Sequence, residues 1–138
     1  MDFDQYTGIP WECGKRSHEA ADCWGLILLV LEEQFGVVLG HMKDISVDDP
    51  DVVSDVMVES RGLDYWTVTE APSIGCACMF YEASNEHPNG RPAHVGLVVA
   101  DGYILHSIGK EGSFSAIHRT RVLQRLFKRL EFFEYAAD

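Results

Sequence analysis

Asp22-Cys23-Trp24-Gly25-Leu26-Ile27-Leu28-Leu29-Val30-Leu31 is followed by Glu32-Glu33-Gln34 and closed by Gly36. No charge falls between Cys23 and Leu31, and the flanks carry a helix's punctuation. Asp22 can cap the first turn, and Gly36 can take the left-handed position after the last. The stretch predicts a helix that begins at Cys23. Apolar on nearly every side, such a helix belongs in the middle of a domain. Its N-terminus presents unpaired N–H groups and positive partial charge, which favour a thiolate. Cys23 therefore reads either as a small buried apolar residue or as a nucleophile, and the rest of the chain has to choose.

The chain has 138 residues, 46% of them hydrophobic and 11% aromatic, and carries a net charge of -11. Those values fit one folded domain, 1–138, with a real core. The charge is lopsided: residues 1–75 hold 15 acids and 4 bases, residues 76–138 hold 7 of each. Such a surface repels phosphate backbones and anionic membranes, which argues against a nucleic-acid role. No basic-then-apolar leader is present and the longest apolar run is too short to span a bilayer, so the reading expects neither a signal peptide nor membrane insertion. The four cysteines, Cys13, Cys23, Cys76 and Cys78, are expected as thiols.

Residues 1–21 read as irregular, with a tight apolar corner at Gly8-Ile9-Pro10-Trp11. Asp49-Pro50 opens a second predicted helix, closed at Arg61-Gly62, and residues 63–75 form a connector. Residues 76–81 predict a strand. Residues 93–99 and 103–108 predict two more, joined at Asp101-Gly102 as a hairpin. Residues 121–130 carry apolar side chains at helical spacing, and Phe132-Phe133 offers a return to the sheet. Helices first and antiparallel strands after make the class α+β.

The hairpin bears on the chemistry through His94 and His106. A two-residue turn would put Leu97 opposite His106 and send the two imidazoles to opposite faces. A three-residue turn over Ala100-Asp101-Gly102 puts Gly96 opposite His106, so that His94, Gly96, Val98, Ile104 and His106 share a face. With Gly96 leaving room, the rings then meet. Cys23 as nucleophile, His94 as base and His106 holding the tautomer of His94 would form a relay, because neutral imidazole accepts a proton only at its bare nitrogen.

Trp11, Gly14, Cys23, His94 and His106, with the phrases Asp22-Cys23-Trp24-Gly25-Leu26 and His94-Val95-Gly96-Leu97-Val98, resemble the NlpC-type family of papain-like cell-wall cysteine peptidases over roughly residues 5–110. The Asp-Cys-Trp-Gly form is similar to the branch found in bacteriophage tail proteins. The resemblance implies a papain-like core in which the nucleophile helix packs on an antiparallel sheet. It also implies hydrolysis of peptidoglycan stem peptides, the usual bond joining γ-D-glutamate to diaminopimelate or lysine. By position Cys23 would be the nucleophile, His94 the base and His106 the orienting residue. The N–H of Cys23 would donate to the oxyanion, and Asp22 would face the free amine of the substrate. Trp11 stands where many relatives carry a tyrosine near the oxyanion. Trp24 replaces a frequent serine and should make the adjoining subsite bulkier, Lys15 replaces a second glycine, and Cys76 replaces an aspartate. In the phage context the partners would be tail-tip or hub proteins, and the place a virion assembled in the host cytoplasm. The alternative is a tail assembly protein whose site is weak or inactive.

Cys76-Ala77-Cys78 with Cys13 and His18 could be imagined around zinc, but the spacing is wrong for a knuckle. No metal or cofactor is expected. His18, His41, His87 and His118 read as surface residues. The basic run Arg119, Arg121, Arg125, Lys128 and Arg129 reads as the solvated face of an amphipathic helix that could dock on another tail subunit.

Overall fold

The computed structural model describes residues 2–37, 66–86, 88–107 and 112–135. The helix expected over 49–62 lies outside them, as do His41 and His87. A 3-10 turn at Asp4–Tyr6 precedes the first helix, α1, Cys23–Phe35. Six strands follow: β1 Trp66–Thr69, β2 Ala77–Glu82, β3 Arg91–Ala100, β4 Tyr103–Ser107, β5 Ser115–Arg119 and β6 Arg129–Tyr135. A short helix, α2, Thr120–Leu126, joins the last two strands. The strands form one antiparallel sheet in the order β1-β6-β2-β3-β4-β5. The arrangement is α+β, as expected.

α1 forms where the punctuation places it. The Asp22 carboxylate accepts from the Gly25 N–H at 2.6 Å, and Gly36 ends the helix in the left-handed region at φ 65°. Every residue from Cys23 to Leu31 is buried. Burying each large aliphatic side chain there contributes about 1.5–3 kcal/mol, so burial in the domain interior stabilises the helix far more than its own propensity does. Strand alternation gives the sheet two covered faces. Ala77, Met79, Tyr81, Val95, Leu97, Val99 and Leu105 pack with α1. Cys78, Phe80, Val98 and Ile104 pack with Leu123 of α2 and with Phe127, Leu130 and Phe132. Coverage on both sides explains why five of the six residues of β2 are buried.

Three expectations change. The β3–β4 turn is neither version considered from sequence alone. Ala100 pairs with Tyr103, leaving a two-residue turn at Asp101-Gly102, and a bulge at Val99 then restores Gly96 opposite His106. One extra residue thus returns both histidines to one face. The helix expected over 121–130 stops at Leu126. Phe127 has extended backbone, the Lys128 N–H donates to the Tyr81 carbonyl at 2.8 Å, and residue 129 already belongs to β6. The basic run is therefore divided among β5, α2, the turn and β6. β1 and β5 occupy stretches that the sequence reading leaves without strands.

Candidate active site

The head of α1 is built by a folded-back loop. The Ala21 N–H donates to the Pro10 carbonyl at 3.0 Å, the Asp22 N–H to the Lys15 carbonyl at 3.1 Å, and the Gly14 N–H to the second oxygen of Asp22 at 2.8 Å. Asp22 is 3% exposed. Each of its carboxylate oxygens holds a backbone N–H, one from the helix and one from the loop, so as placed it builds the site from within. Burial raises its pKa, against the pull of those two donors.

Cys23 is the first residue of α1 and is buried. The N–H groups of Trp24, Val95 and Cys23 itself act on its sulfur and favour the charged form, as a helix N-terminus should. Burial outweighs them, and the charge of Asp22 adds to it, pushing the thiol up to about 12. The sulfur thus lies against the backbone of β3, one residue from His94.

The imidazoles meet as the register requires. His94 Nε2 lies 3.1 Å from His106 Nδ1, with the rings edge to face at a centroid separation of 5.3 Å. Both rings pack on Phe80, and His94 also stacks on Phe127. The space that Gly96 leaves is taken by Ile104, the Leu105 carbonyl and Phe80, and a Cβ there would fall 2.7 Å from a methyl carbon of Ile104. Burial pushes His94 down to about 3, helped by His106, and pushes His106 down to about 4, helped by His118. Both rings rest neutral.

His118, read from sequence as a surface residue, belongs to this array. Its Nδ1 lies 2.7 Å from His106 Nε2. The signal was present as a second interval of twelve residues, from 106 to 118 after 94 to 106, but without β5 it had no meaning. His18 also has an unforeseen partner in Glu33, at 2.7 Å, with Tyr6 donating to the same carboxylate at 2.8 Å. Trp24, expected to line a subsite, is 1% exposed and lies in the core on the α1 side. Trp11 is half-buried, tied through its backbone N–H to the Ser113 carbonyl at 2.9 Å. Its indole N–H is buried with no hydrogen-bond partner among the described residues. Cys76 closes the turn before β2, where its sulfur accepts from the Ser73 N–H at 3.4 Å.

No family model and no curated protein matches this chain. Solved structures do. NlpC2 from Trichomonas vaginalis superposes with a TM-score of 0.61 at 14% identity, and NlpC1 from the same organism with 0.62 at 14%, each over 96% of this chain. The NlpC/p60 domain of peptidoglycan hydrolase SagA gives 0.57 at 15%, again over 96%. The fold is that of NlpC/p60 domains. This chain spans 43% and 40% of the two Trichomonas vaginalis chains and 92% of the SagA domain. Within the NlpC/p60 fold, the papain-like packing of α1 on an antiparallel sheet agrees with the expectation from the Asp-Cys-Trp-Gly and His-Val-Gly phrases. Among the described residues no group of His, Cys, Asp and Glu side chains is placed to hold a metal ion.

Asp22→Asn removes the charge that opposes thiol ionisation, so the Cys23 pKa should fall, read from the pH dependence of thiol absorbance. The same change replaces the acceptor that faces Gly14 and should cost about 1–2 kcal/mol in urea unfolding, whereas Asp22→Ala, which strands both N–H groups, should cost about 3 kcal/mol. Unfolded histidine takes up its proton near 6.5, while folded His94 and His106 resist until about 3 and about 4. Below 6.5 the unfolded chain binds more protons, so stability should fall as pH drops from about 6.5 toward 4. Equilibrium unfolding across that range should show the slope, and His106→Phe should reduce it.

Proposed function

We propose that the chain is a cysteine peptidase that cleaves amide bonds in peptidoglycan stem peptides, of the γ-D-glutamyl-diaminopimelate type, during penetration of the cell wall by a phage tail. The carrying observation is Cys23 at the head of a buried helix, its sulfur against the backbone beside His94, whose Nε2 is engaged by His106. The NlpC/p60 fold, shared with a domain of a peptidoglycan hydrolase, supports the reaction class. The Asp-Cys-Trp-Gly form supports the phage setting, with tail-tip or hub proteins as partners and the virion as location.

With Nε2 of His94 occupied, Nδ1 is the ring nitrogen left to receive a proton. In the resting site thiol and imidazole are both neutral, so the proton leaves Sγ as the C–S bond forms and not before. By position in the family the Cys23 N–H would donate to the oxyanion, with Trp11 standing where relatives carry a tyrosine. Collapse expels the amine, which takes the proton from His94. Water then cleaves the thioester, giving the carboxylate and regenerating the thiol.

A second reading, a tail assembly protein with a weak or inactive site, draws support from the same neutrality: burial outweighs the N–H groups that favour the thiolate. A panel of defined muropeptides separates the two. The peptidase reading expects one stem-peptide amide to be cut and its isomers spared. No cleavage of any member, with the protein folded, would favour the assembly reading.

A further inference from the structure

The imidazoles of His94, His106 and His118 climb diagonally across three adjacent strands. Gly96 faces His106 and Ala116 faces His106 from the other side, so His94 on β3 and His118 on β5 each stand two residues along from the residue opposite His106, on the same face. Every contact runs in one sense: Nε2 of His94 to Nδ1 of His106 at 3.1 Å, then Nε2 of His106 to Nδ1 of His118 at 2.7 Å. His94 and His106 are buried, and His118 is half-buried at the outer end.

Such a chain has only two neutral states, because each link needs one donor and one acceptor and a neutral ring carries a single N–H. In the outward state all three rings hold the proton on Nε2, and Nδ1 of His94 is bare. In the inward state all three hold it on Nδ1, and His94 cannot accept from the thiol. We propose that His118 is a positioning residue: by accepting from the Nε2–H of His106 it fixes the outward sense of the whole chain and keeps Nδ1 of His94 bare. Its action on His94 is through His106. The functional part rests on the hydrolase reading above, whereas the proton positions do not.

Long-range proton–nitrogen NMR of histidine-labelled protein above pH 7, assigned with single variants, reads each tautomer directly. The wild type should show Nε2–H on both His94 and His106. His118→Phe, which keeps the ring's bulk and removes its acceptor, should shift His106 and then His94 toward mixed tautomers. His118→Asn, whose Oδ1 stands near the lost Nδ1, should restore the wild-type pattern. On the muropeptide that the wild type cleaves, His118→Phe should lower kcat about tenfold with KM within about twofold, and Asn should recover most of the loss. Nδ1–H on His94 in the wild type, or tautomers unchanged in folded His118→Phe, would overturn the proposal, and so would altered tautomers with kcat unchanged. If the wild type cleaves no muropeptide, the hydrolase reading fails while the spectra still decide the chain. If His118→Phe does not fold, the wild-type and Asn spectra decide it.

Discussion

Cys23→Ala should abolish the release of soluble peptides from purified peptidoglycan, a loss of about 10⁴-fold or more, because the thiol proposed to form the covalent intermediate is gone. Two of the three remaining cysteines are poorly placed to substitute. Cys76 closes the turn before β2, and Cys78 faces the α2 side of the sheet, where burial pushes its thiol up. The substitution removes one sulfur from a packed site and leaves both oxygens of Asp22 on their N–H partners, so the folded chain should persist with a loss of about 1 kcal/mol. Loss of hydrolysis with thermal unfolding nearly unchanged separates chemistry from architecture. Undiminished hydrolysis by Cys23→Ala would remove the thiol from the mechanism.

The second large effect is on stability, and its sign runs against helix propensity. Replacing glycine by alanine inside a helix ordinarily stabilises by about 0.5–1 kcal/mol. At Gly25 the new Cβ would strike the Lys15 carbonyl oxygen, a backbone atom, and fall 2.9 Å from Oδ1 of Asp22. That carbonyl accepts from the Asp22 N–H, and that carboxylate oxygen accepts from Gly25 itself. Neither can withdraw without breaking the lacing that holds the 10–21 loop to the helix. Gly25→Ala should therefore destabilise by about 3 kcal/mol or more in urea unfolding. It should also reduce activity, since Cys23 is positioned by the same contacts. A stabilised variant would mean that the loop is not packed on the helix head as described.

What the sequence discloses and what it hides divide along physical lines. α1 is legible at both ends because its caps are local: Asp22 and Gly36 act within a turn of themselves. The shared face of His94 and His106 is legible as a consequence of strand periodicity, but the route to it is not. Asp101-Gly102 suits turns of either length, and only the packed sheet shows that a bulge at Val99 corrects the register. β5 escapes because Ser115-Ala116-Ile117-His118-Arg119 has no strong apolar alternation, being half covered at an edge of the sheet. With β5 unseen, His118 looks solitary. The end of α2 escapes for another reason: Phe127 and Leu130 keep helical spacing while serving the same sheet face as Phe132 from the turn and β6. Trp24 is misplaced because a residue beside a nucleophile invites a subsite reading, whereas the second position of a buried helix points inward.

The most direct test of the account is covalent capture of the nucleophile by a substrate mimic. A stem-peptide analogue carrying a chloromethyl ketone in place of the scissile amide is incubated with the native protein, and the adduct is located by peptide mapping. The account expects one adduct, on Cys23, formed far more slowly in His94→Ala. Adducts on Cys13 with Cys23 untouched, or labelling of Cys23 that is indifferent to His94, would contradict it.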